Sequence, residues 1–178
     1  MDKEFMKECI ATEVDRGAQN CLRKLYLRHF RPDTNAVFLI TKYLYYSARR
    51  SFVEKAISKI LFLELHFKYG IYVDERADIG LGLTIVHPMC ICIGGAKIGK
   101  DLTMYQGSSI AINRKMELTS VDDFPKIGDG CILYANSMIV GPIEVGDNIS
   151  VGANSVLSKT TKRAGLYCGL PATFREIA

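Results

Sequence analysis

The sequence has 178 residues, of which 48% are hydrophobic and 24% are charged. This composition is typical of a globular chain with a buried core and argues against intrinsic disorder. No apolar run reaches the roughly 18 residues needed to cross a membrane, and the first twenty residues lack the apolar stretch of a signal peptide. We therefore expect a soluble, cytoplasmic protein whose cysteines are reduced thiols.

Positive charge is concentrated in the first half of the chain, since residues 16–68 contain 11 Lys+Arg against 3 Asp+Glu. A basic surface attracts nucleic acid, anionic lipid headgroups or phosphorylated ligands. A solvated helix face explains the same charges. No nucleic-acid-binding motif is present. We therefore expect no nucleic-acid partner, and a peripheral contact with a membrane or a lipid-linked glycan stays open.

Residues 1–70 predict an N-terminal helical segment in which two or three helices fit. Asp2 is expected to cap the first helix, and Asp33 or Thr34 the third. Gly70 is expected to be the C-cap of the third helix. The three helices are expected to cover about 2–16, 19–30 and 34–69.

From residue 71 the helical periodicity is replaced by a repeat of six residues. The longest register contains aliphatic residues only, at Ile127, Leu133, Ile139, Val145, Val151 and Leu157. In such a repeat each hexapeptide forms a short strand and a tight turn, and three hexapeptides close one triangular coil. The sequence therefore predicts a mainly β domain over 71–178, a parallel β-helix of four to five coils with a C-terminal tail.

A polar and charged insertion at 112–125 interrupts the repeat. Long loops on a rigid scaffold usually carry function. A tolerated surface excursion is the alternative interpretation of the same segment.

Several motifs stand out in the repeat region beyond the aliphatic repeat itself. They are Ile79-Gly-Leu-Gly-Leu-Thr-Ile-Val-His87, Tyr105-Gln106, Pro125-Lys-Ile-Gly-Asp-Gly130, Val151-Gly-Ala-Asn-Ser-Val156 and Gly169-Leu-Pro-Ala172. In combination these motifs resemble the serine acetyltransferase branch of the hexapeptide-repeat acyltransferases, which Ile-Gly repeats alone would not indicate. The resemblance covers about residues 70–175.

The resemblance implies a left-handed β-helix that assembles as a homotrimer, with a dimer of trimers as a further option. It implies transfer of an acetyl group from acetyl-CoA to a hydroxyl, in active sites between neighbouring subunits. His87 matches the histidine that acts as general base, a role that an imidazole can fill near neutral pH. Asp74 resembles the acidic partner of that histidine, although its spacing is two residues shorter, so Asp78 or Glu75 are alternatives.

The resemblance also places coenzyme A along the last coils. Backbone and small side chains would lie beside its pantetheine arm, and cations would meet its phosphates. A basic surface cluster is the alternative interpretation of the cations. The residues concerned are Gly152, Ala153, Ser155, Lys159, Lys162 and Arg163.

The acceptor pocket departs from the family pattern. Asp123 and Phe124 stand where serine acetyltransferases carry Arg-His, and Val86 replaces the acid before the coil histidine. An amino-acid acceptor needs a carboxylate clamp, whereas a sugar binds through neutral hydrogen bonds and apolar ring faces. With Gln106 and Phe124 as acceptor-pocket residues, we expect a sugar of a surface or capsular polysaccharide, with serine as the alternative acceptor.

Two other classes are weighed against an acetyltransferase. A β-helical carbonic anhydrase needs three histidines on zinc, but two of the three here, His29 and His66, lie in the helical segment. The spacing of Cys90 and Cys92 does not suit a zinc site, so no metal is expected. A non-catalytic scaffold trimer is disfavoured by His87 with an acid nearby.

Overall fold

The computed structural model describes residues 2–16, 18, 20–112, 123–169 and 173–175, the last three by their backbone only. Most of the predicted insertion and the Leu170-Pro-Ala172 part of the tail motif lie outside the described residues. The described chain consists of an N-terminal helical segment followed by fifteen short strands.

The helical segment contains four α-helices and one π-helix. The Asp2 side chain accepts a hydrogen bond from the backbone N–H of Phe5 at 2.8 Å, which confirms the predicted first cap. Gly70 is the C-cap of the last helix, with φ 63°, as predicted. The helices are α1 Lys3–Cys9, the π-helix Ile10–Val14, α2 Cys21–His29, α3 Pro32–Ser47 and α4 Phe52–Tyr69.

The prediction of one long third helix is wrong, because the chain folds back between α3 and α4. Ala48 ends α3 and Ser51 is extended, with φ −66° and ψ 140°. The reversal lets α4 pack along α3 and buries Leu65 completely. The predicted cap of this helix is also wrong: Arg31 is the N-cap, since Pro32 has the φ that suits the first helical position.

The fifteen strands form three sheets that are the faces of a triangular prism. Face A contains β1, β4, β7, β10 and β13; face B contains β2, β5, β8 and β11; face C contains β3, β6, β9, β12, β14 and β15. The strands are β1 Tyr72–Val73, β2 Asp78–Ile79, β3 Thr84–Val86, β4 Cys92–Ile93, β5 Lys97–Ile98, β6 Thr103–Tyr105, β7 Ser109–Ala111, β8 Lys126–Ile127, β9 Ile132–Leu133, β10 Met138–Val140, β11 Glu144–Val145, β12 Ile149–Val151, β13 Val156–Leu157, β14 Gly165–Cys168 and β15 Thr173–Arg175.

Strands β1 to β13 belong to faces A, B and C in turn, so the chain winds as a parallel β-helix of about five coils, and this β-helix is left-handed. This confirms the predicted fold. The register Ile85↔Met104↔Leu133↔Val151 runs down face C. All four side chains are buried inside the prism. The aliphatic residue of each hexapeptide therefore forms the core column that the repeat predicts.

The helical segment covers the first coil of the β-helix. Helix α3 packs against β3, and α4 packs against β1. Ile10, Ile40 and Leu65 share one continuous core with Ile71 and Ile85. No helix in the described part of the chain combines the length and apolar character that crossing a bilayer requires.

Candidate active site

His87 lies on an enlarged corner of the first coil, between faces C and A. Five residues, 87–91, join β3 to β4, whereas three residues, 106–108, join β6 to β7 in the next coil. His87 and Cys90 both have positive φ, 54° and 53°, on this corner. Most other non-glycine residues with positive φ here are asparagine, which tolerates that conformation best. His87 thus holds a backbone conformation that is costly for most non-glycine residues and exposes its side chain, which makes it a candidate for a functional position.

Gln106 lies at the start of the same corner in the next coil. Val86 pairs with Tyr105, and His87 and Gln106 are the residues that follow them. The Gln106 Oε1 atom is buried and has no hydrogen-bond partner within the described chain. Since a buried amide oxygen is costly to leave unpaired, this atom is suited to receive a hydrogen bond from a bound molecule.

A depression of about 560 Å³ surrounds His87. Two charged residues of the helical segment line it, Asp33 from the first turn of α3 and Lys68 from the last turn of α4. The Lys68 Nζ donates to the Oδ1 of Asn35 at 2.7 Å, which orients the ammonium group. Sequence reasoning missed both residues as site residues, because only the packing of the helices on coil 1 brings them to His87.

A second cluster of predicted site residues lies at the corner between faces A and B. The Arg76 guanidinium donates to both carboxylate oxygens of Asp74, at 2.9 and 2.7 Å. These bonds hold the pKa of the Asp74 carboxyl below its usual range. The same guanidinium lies 5.0 Å from the centre of the Phe124 ring, which packs on Gly95. Asp74, Arg76 and Phe124 therefore form one connected group, which we call the Arg76 cluster.

Within one protomer, the predicted site residues therefore lie at two different corners of the prism. His87 and Gln106 lie at the C–A corner, and the Arg76 cluster lies at the A–B corner. Asp74 has Arg76 as its partner, so its pairing with His87 stays a prediction.

The residues predicted beside the pantetheine arm lie on the same corner as His87. The register Met104↔Leu133↔Val151 stacks Ala135 on Gln106 and Ala153 on Ala135. At about 4.8 Å per coil, Ala153 lies about 14 Å along the prism from His87.

Packing within the β-helix accounts for the residue type at two of the three positions predicted beside the pantetheine arm. A Cβ atom at Gly152 would come within 2.9 Å of the Cβ of Cys168 on the next coil. The buried Ser155 hydroxyl accepts a hydrogen bond from the N–H of Gly169 at 2.9 Å. Ala153 is exposed and presents only a methyl group. Gly152, Ala153 and Ser155 therefore place no large side chain on this part of the corner.

The three predicted phosphate-binding cations lie elsewhere on the last coil. Lys159 follows β13, and Lys162 and Arg163 precede β14 on the side of face B. The Lys162 Nζ lies 3.7 Å from a carboxylate oxygen of Glu144, with both side chains exposed. Within the protomer these cations do not converge on the corner that carries His87. Among the described residues, no three His, Cys, Asp or Glu side chains are arranged to hold a metal ion.

Fold and site together define a left-handed β-helix of hexapeptide coils with an exposed histidine on an enlarged corner of the first coil. The family model described as "Bacterial transferase hexapeptide (six repeats)" matches residues 124–159. A serine acetyltransferase of Staphylococcus aureus is 31% identical over 127 residues, covering 71% of this chain and 56% of the relative. Both matches support a relationship to the hexapeptide-repeat, serine acetyltransferase-like enzymes, and the chain spans little more than half the length of the curated relatives it matches.

Solved structures show the same fold. A soybean serine acetyltransferase complexed with serine has a TM-score of 0.77 at 18% identity, covering 97% of this chain and 70% of that one. A Brucella abortus serine acetyltransferase in complex with coenzyme A has a TM-score of 0.67 at 20% identity, covering 96% of this chain and 66% of that one. The coverage includes the helical segment as well as the β-helix.

Proposed function

We propose that the protein is an acetyl-CoA-dependent O-acetyltransferase with His87 as its general base. The observation that carries the proposal is the C–A corner, where an exposed histidine, the unpaired Oε1 of Gln106 and the small, exposed side chain of Ala153 lie in line. The family relationship supports the acetyl-transfer chemistry.

In the proposed reaction, the His87 imidazole takes the proton of an acceptor hydroxyl. The hydroxyl oxygen then attacks the thioester carbonyl of acetyl-CoA, and the carbon–sulfur bond breaks. The proton held by His87 passes to the departing thiolate, so the products are an acetyl ester and free coenzyme A. A base positioned in this way typically accelerates such a transfer about 10²–10⁴-fold.

The same corner would hold the co-substrate. The pantetheine arm is proposed to run from Ala153 towards His87, because the positions stacked on that path are Ala153, Ala135 and Gln106, beside the paired rings of Tyr105 and Tyr134. The three predicted cations, Lys159, Lys162 and Arg163, lie away from this corner, so they cannot reach the phosphates of a coenzyme A molecule bound within one protomer. Their proposed role therefore requires a binding groove between two protomers.

A homotrimer would complete the site. The C–A corner of one prism and the A–B corner of its neighbour can meet when three triangular prisms pack around a threefold axis. The Arg76 cluster would then face His87 of the adjacent protomer. The divided arrangement of the predicted site residues supports this assembly.

The helical segment is proposed to join two trimers. It exposes nine large apolar side chains on or next to α2 and on α4, and apolar contact with a second trimer would cover them. An anionic membrane surface is the alternative partner of these apolar residues, because α2 also carries cations. The exposed residues are Leu22, Leu25, Tyr26, Phe30, Phe52, Val53, Ile60, Leu63 and Phe67.

The proposed acceptor is a sugar hydroxyl. Phe124 offers a half-buried aromatic ring at the place where the family carries histidine, and an apolar ring suits the face of a pyranose. Serine is the second candidate. Asp33 and Lys68 line the His87 depression with opposite charges, as recognition of an ammonium and a carboxylate group would require, and the curated relatives are serine acetyltransferases.

Acetyl transfer to a panel of acceptors tests the proposal. The purified protein is incubated with acetyl-CoA and either L-serine, free sugars or nucleotide-linked sugars, and both free thiol and acetylated product are measured. Sugar acetylation that disappears in His87→Asn supports the leading proposal. Turnover of serine alone favours the second candidate. Coenzyme A release with no acceptor acetylated would overturn both.

A further inference from the structure

A cavity of about 580 Å³ lies between α4 and the first coil, next to the Arg76 cluster. Its volume is in the range of small-molecule sites. One wall is the side of α4 that carries Lys55 and Lys59, and the other is the turn after β1. The lining includes Tyr43, Lys55, Lys59, Phe62, Tyr72 and Glu75.

Two lysines give the cavity its positive charge. Lys55 and Lys59 are one helical turn apart and therefore lie on the same side of α4. Both are exposed, and neither forms an ion pair with any residue that the structure describes. Arg76, the third cation of the lining, is already held by Asp74. The two lysines are thus the cations available to a bound anion.

The floor of the cavity is aromatic and can donate hydrogen bonds. The ring of Phe62 lies 5.7 Å from that of Tyr43 and 5.8 Å from that of Tyr72. Burial, together with the nearby Glu75 and Asp74, raises the pKa of Tyr43 to about 12, so its hydroxyl keeps its proton. The exposed Glu75 carboxylate on the rim accepts hydrogen bonds. Aromatic faces with donors and acceptors at their edges suit a sugar ring.

We infer that this cavity binds a phosphorylated sugar, with the phosphate on Lys55 and Lys59 and the ring against Tyr72 and Phe62. The inference rests on the proposed function, in which the acceptor is a sugar. It adds that the acceptor arrives attached to a phosphate carrier, either a nucleotide or a lipid. The Arg76 cluster joins this cavity to the proposed acceptor pocket through Phe124.

Isothermal titration of the full chain with glucose 1-phosphate, glucose and uridine diphosphate glucose tests the inference. Glucose 1-phosphate is expected to bind at least about tenfold more tightly than glucose, because a charge-assisted bond to phosphate is lost with the neutral sugar. The double variant Lys55→Gln, Lys59→Gln is expected to lose about tenfold in affinity for glucose 1-phosphate. Lys24→Gln, which removes an exposed helical lysine outside the cavity, is the matched control.

Equal binding of glucose and glucose 1-phosphate, or unchanged affinity in the double variant, would overturn the inference. An equal loss of coenzyme A affinity in the double variant would also overturn it, since the anion would then belong to the co-substrate. Tighter binding of uridine diphosphate glucose than of glucose 1-phosphate supports a nucleotide carrier. Equal binding of the two supports a lipid carrier.

The outcome is separable from that of the proposed function. Binding of glucose 1-phosphate needs neither acetyl-CoA nor His87, so His87→Asn is expected to bind it like the unaltered protein. If acetyl transfer fails while the lysine-dependent binding is present, the inference stands and the proposed reaction does not. If transfer to serine or free sugar proceeds without that binding, the inference alone fails.

Discussion

Glu13 of the π-helix accepts a hydrogen bond from the backbone N–H of Gly82 at 2.7 Å. The same carboxylate oxygen accepts a second bond from the N–H of Leu83 at 3.2 Å. Gly82 and Leu83 lie on the first coil, so one side chain joins the helical segment to the β-helix. The carboxyl is largely buried at this junction, and its protonation is therefore linked to the stability of the fold.

The stability of the fold should depend on pH through the Glu13 carboxyl. Burial raises the pKa of Glu13 to about 7, with nearby Asp101 acting in the same direction. Because the folded state holds this proton more tightly than the unfolded state, the stabilisation is complete below about pH 4.5 and is lost as pH rises through about 7. Urea unfolding at pH 5.5 and pH 8 should show this loss, at most about 3 kcal/mol. In Glu13→Gln, which keeps an acceptor oxygen but cannot ionise, this loss of stability between pH 5.5 and pH 8 should be smaller.

The variant Glu13→Ala tests the contribution of the two hydrogen bonds to stability separately from that of the carboxyl charge. The backbone N–H groups of Gly82 and Leu83 would lose their acceptor, at a cost of about 1–3 kcal/mol each if they stay buried. The free energy of unfolding at pH 5.5 should therefore fall in Glu13→Ala and stay near the original value in Glu13→Gln. Equal values for the two variants would contradict the role of these bonds.

His87→Asn should lose acetyl transfer without losing the fold. Asparagine accepts the positive φ at this corner, as Asn136 and Asn154 do in other coils, but it has no basic nitrogen. We expect a fall of about 10²–10⁴ in transfer rate and a thermal midpoint close to that of the unaltered protein. Unfolding of the variant would instead show that the imidazole is structural.

Phe124→Ala should affect the acceptor and not the co-substrate. The substitution removes the ring that lies 5.0 Å from the Arg76 guanidinium. We expect the KM for a sugar acceptor to rise about tenfold, the effect of ~1.4 kcal/mol of lost apolar contact. Affinity for coenzyme A, measured by calorimetry, should not change. An unchanged KM would remove Phe124 from the acceptor pocket.

Leu133→Ala should destabilise the core column. Leu133 is fully buried on face C between Met104 and Val151. Its truncation is expected to cost about 2–5 kcal/mol in urea unfolding. Ile132→Ala on the same strand, where the side chain points outward and is half-buried, is the matched control and should cost clearly less.

The β-helix could be predicted because its signal is local and repeated. Each aliphatic position, such as Leu133 or Ile139, carries the same information as its neighbours six residues away. The break between α3 and α4 carries no such signal: Ala48 to Ser51 contain neither glycine nor proline. The reversal there depends on the packing of α4 onto α3, which is tertiary.

The candidate site was predictable only in part, for the same reason. His87 stands in a motif with a fixed position in the repeat, and the structure places it on an exposed corner. Asp33 and Lys68 reach the His87 depression from segments far away in the sequence. No spacing rule relates them to His87, since their position follows from how the helices cover coil 1.

The antiparallel strand at the end of face C limits how prisms can associate. A β-helix whose last strand were left open would offer a row of unpaired backbone groups, and a second molecule could extend the ladder end to end into a fibre. On face C, β15 turns back along β14 with the opposite polarity. The helices cover the first coil at the other end. A second molecule stacked on the β15 end of face C would therefore meet a strand of the wrong polarity to continue the parallel ladder, which disfavours end-to-end growth there.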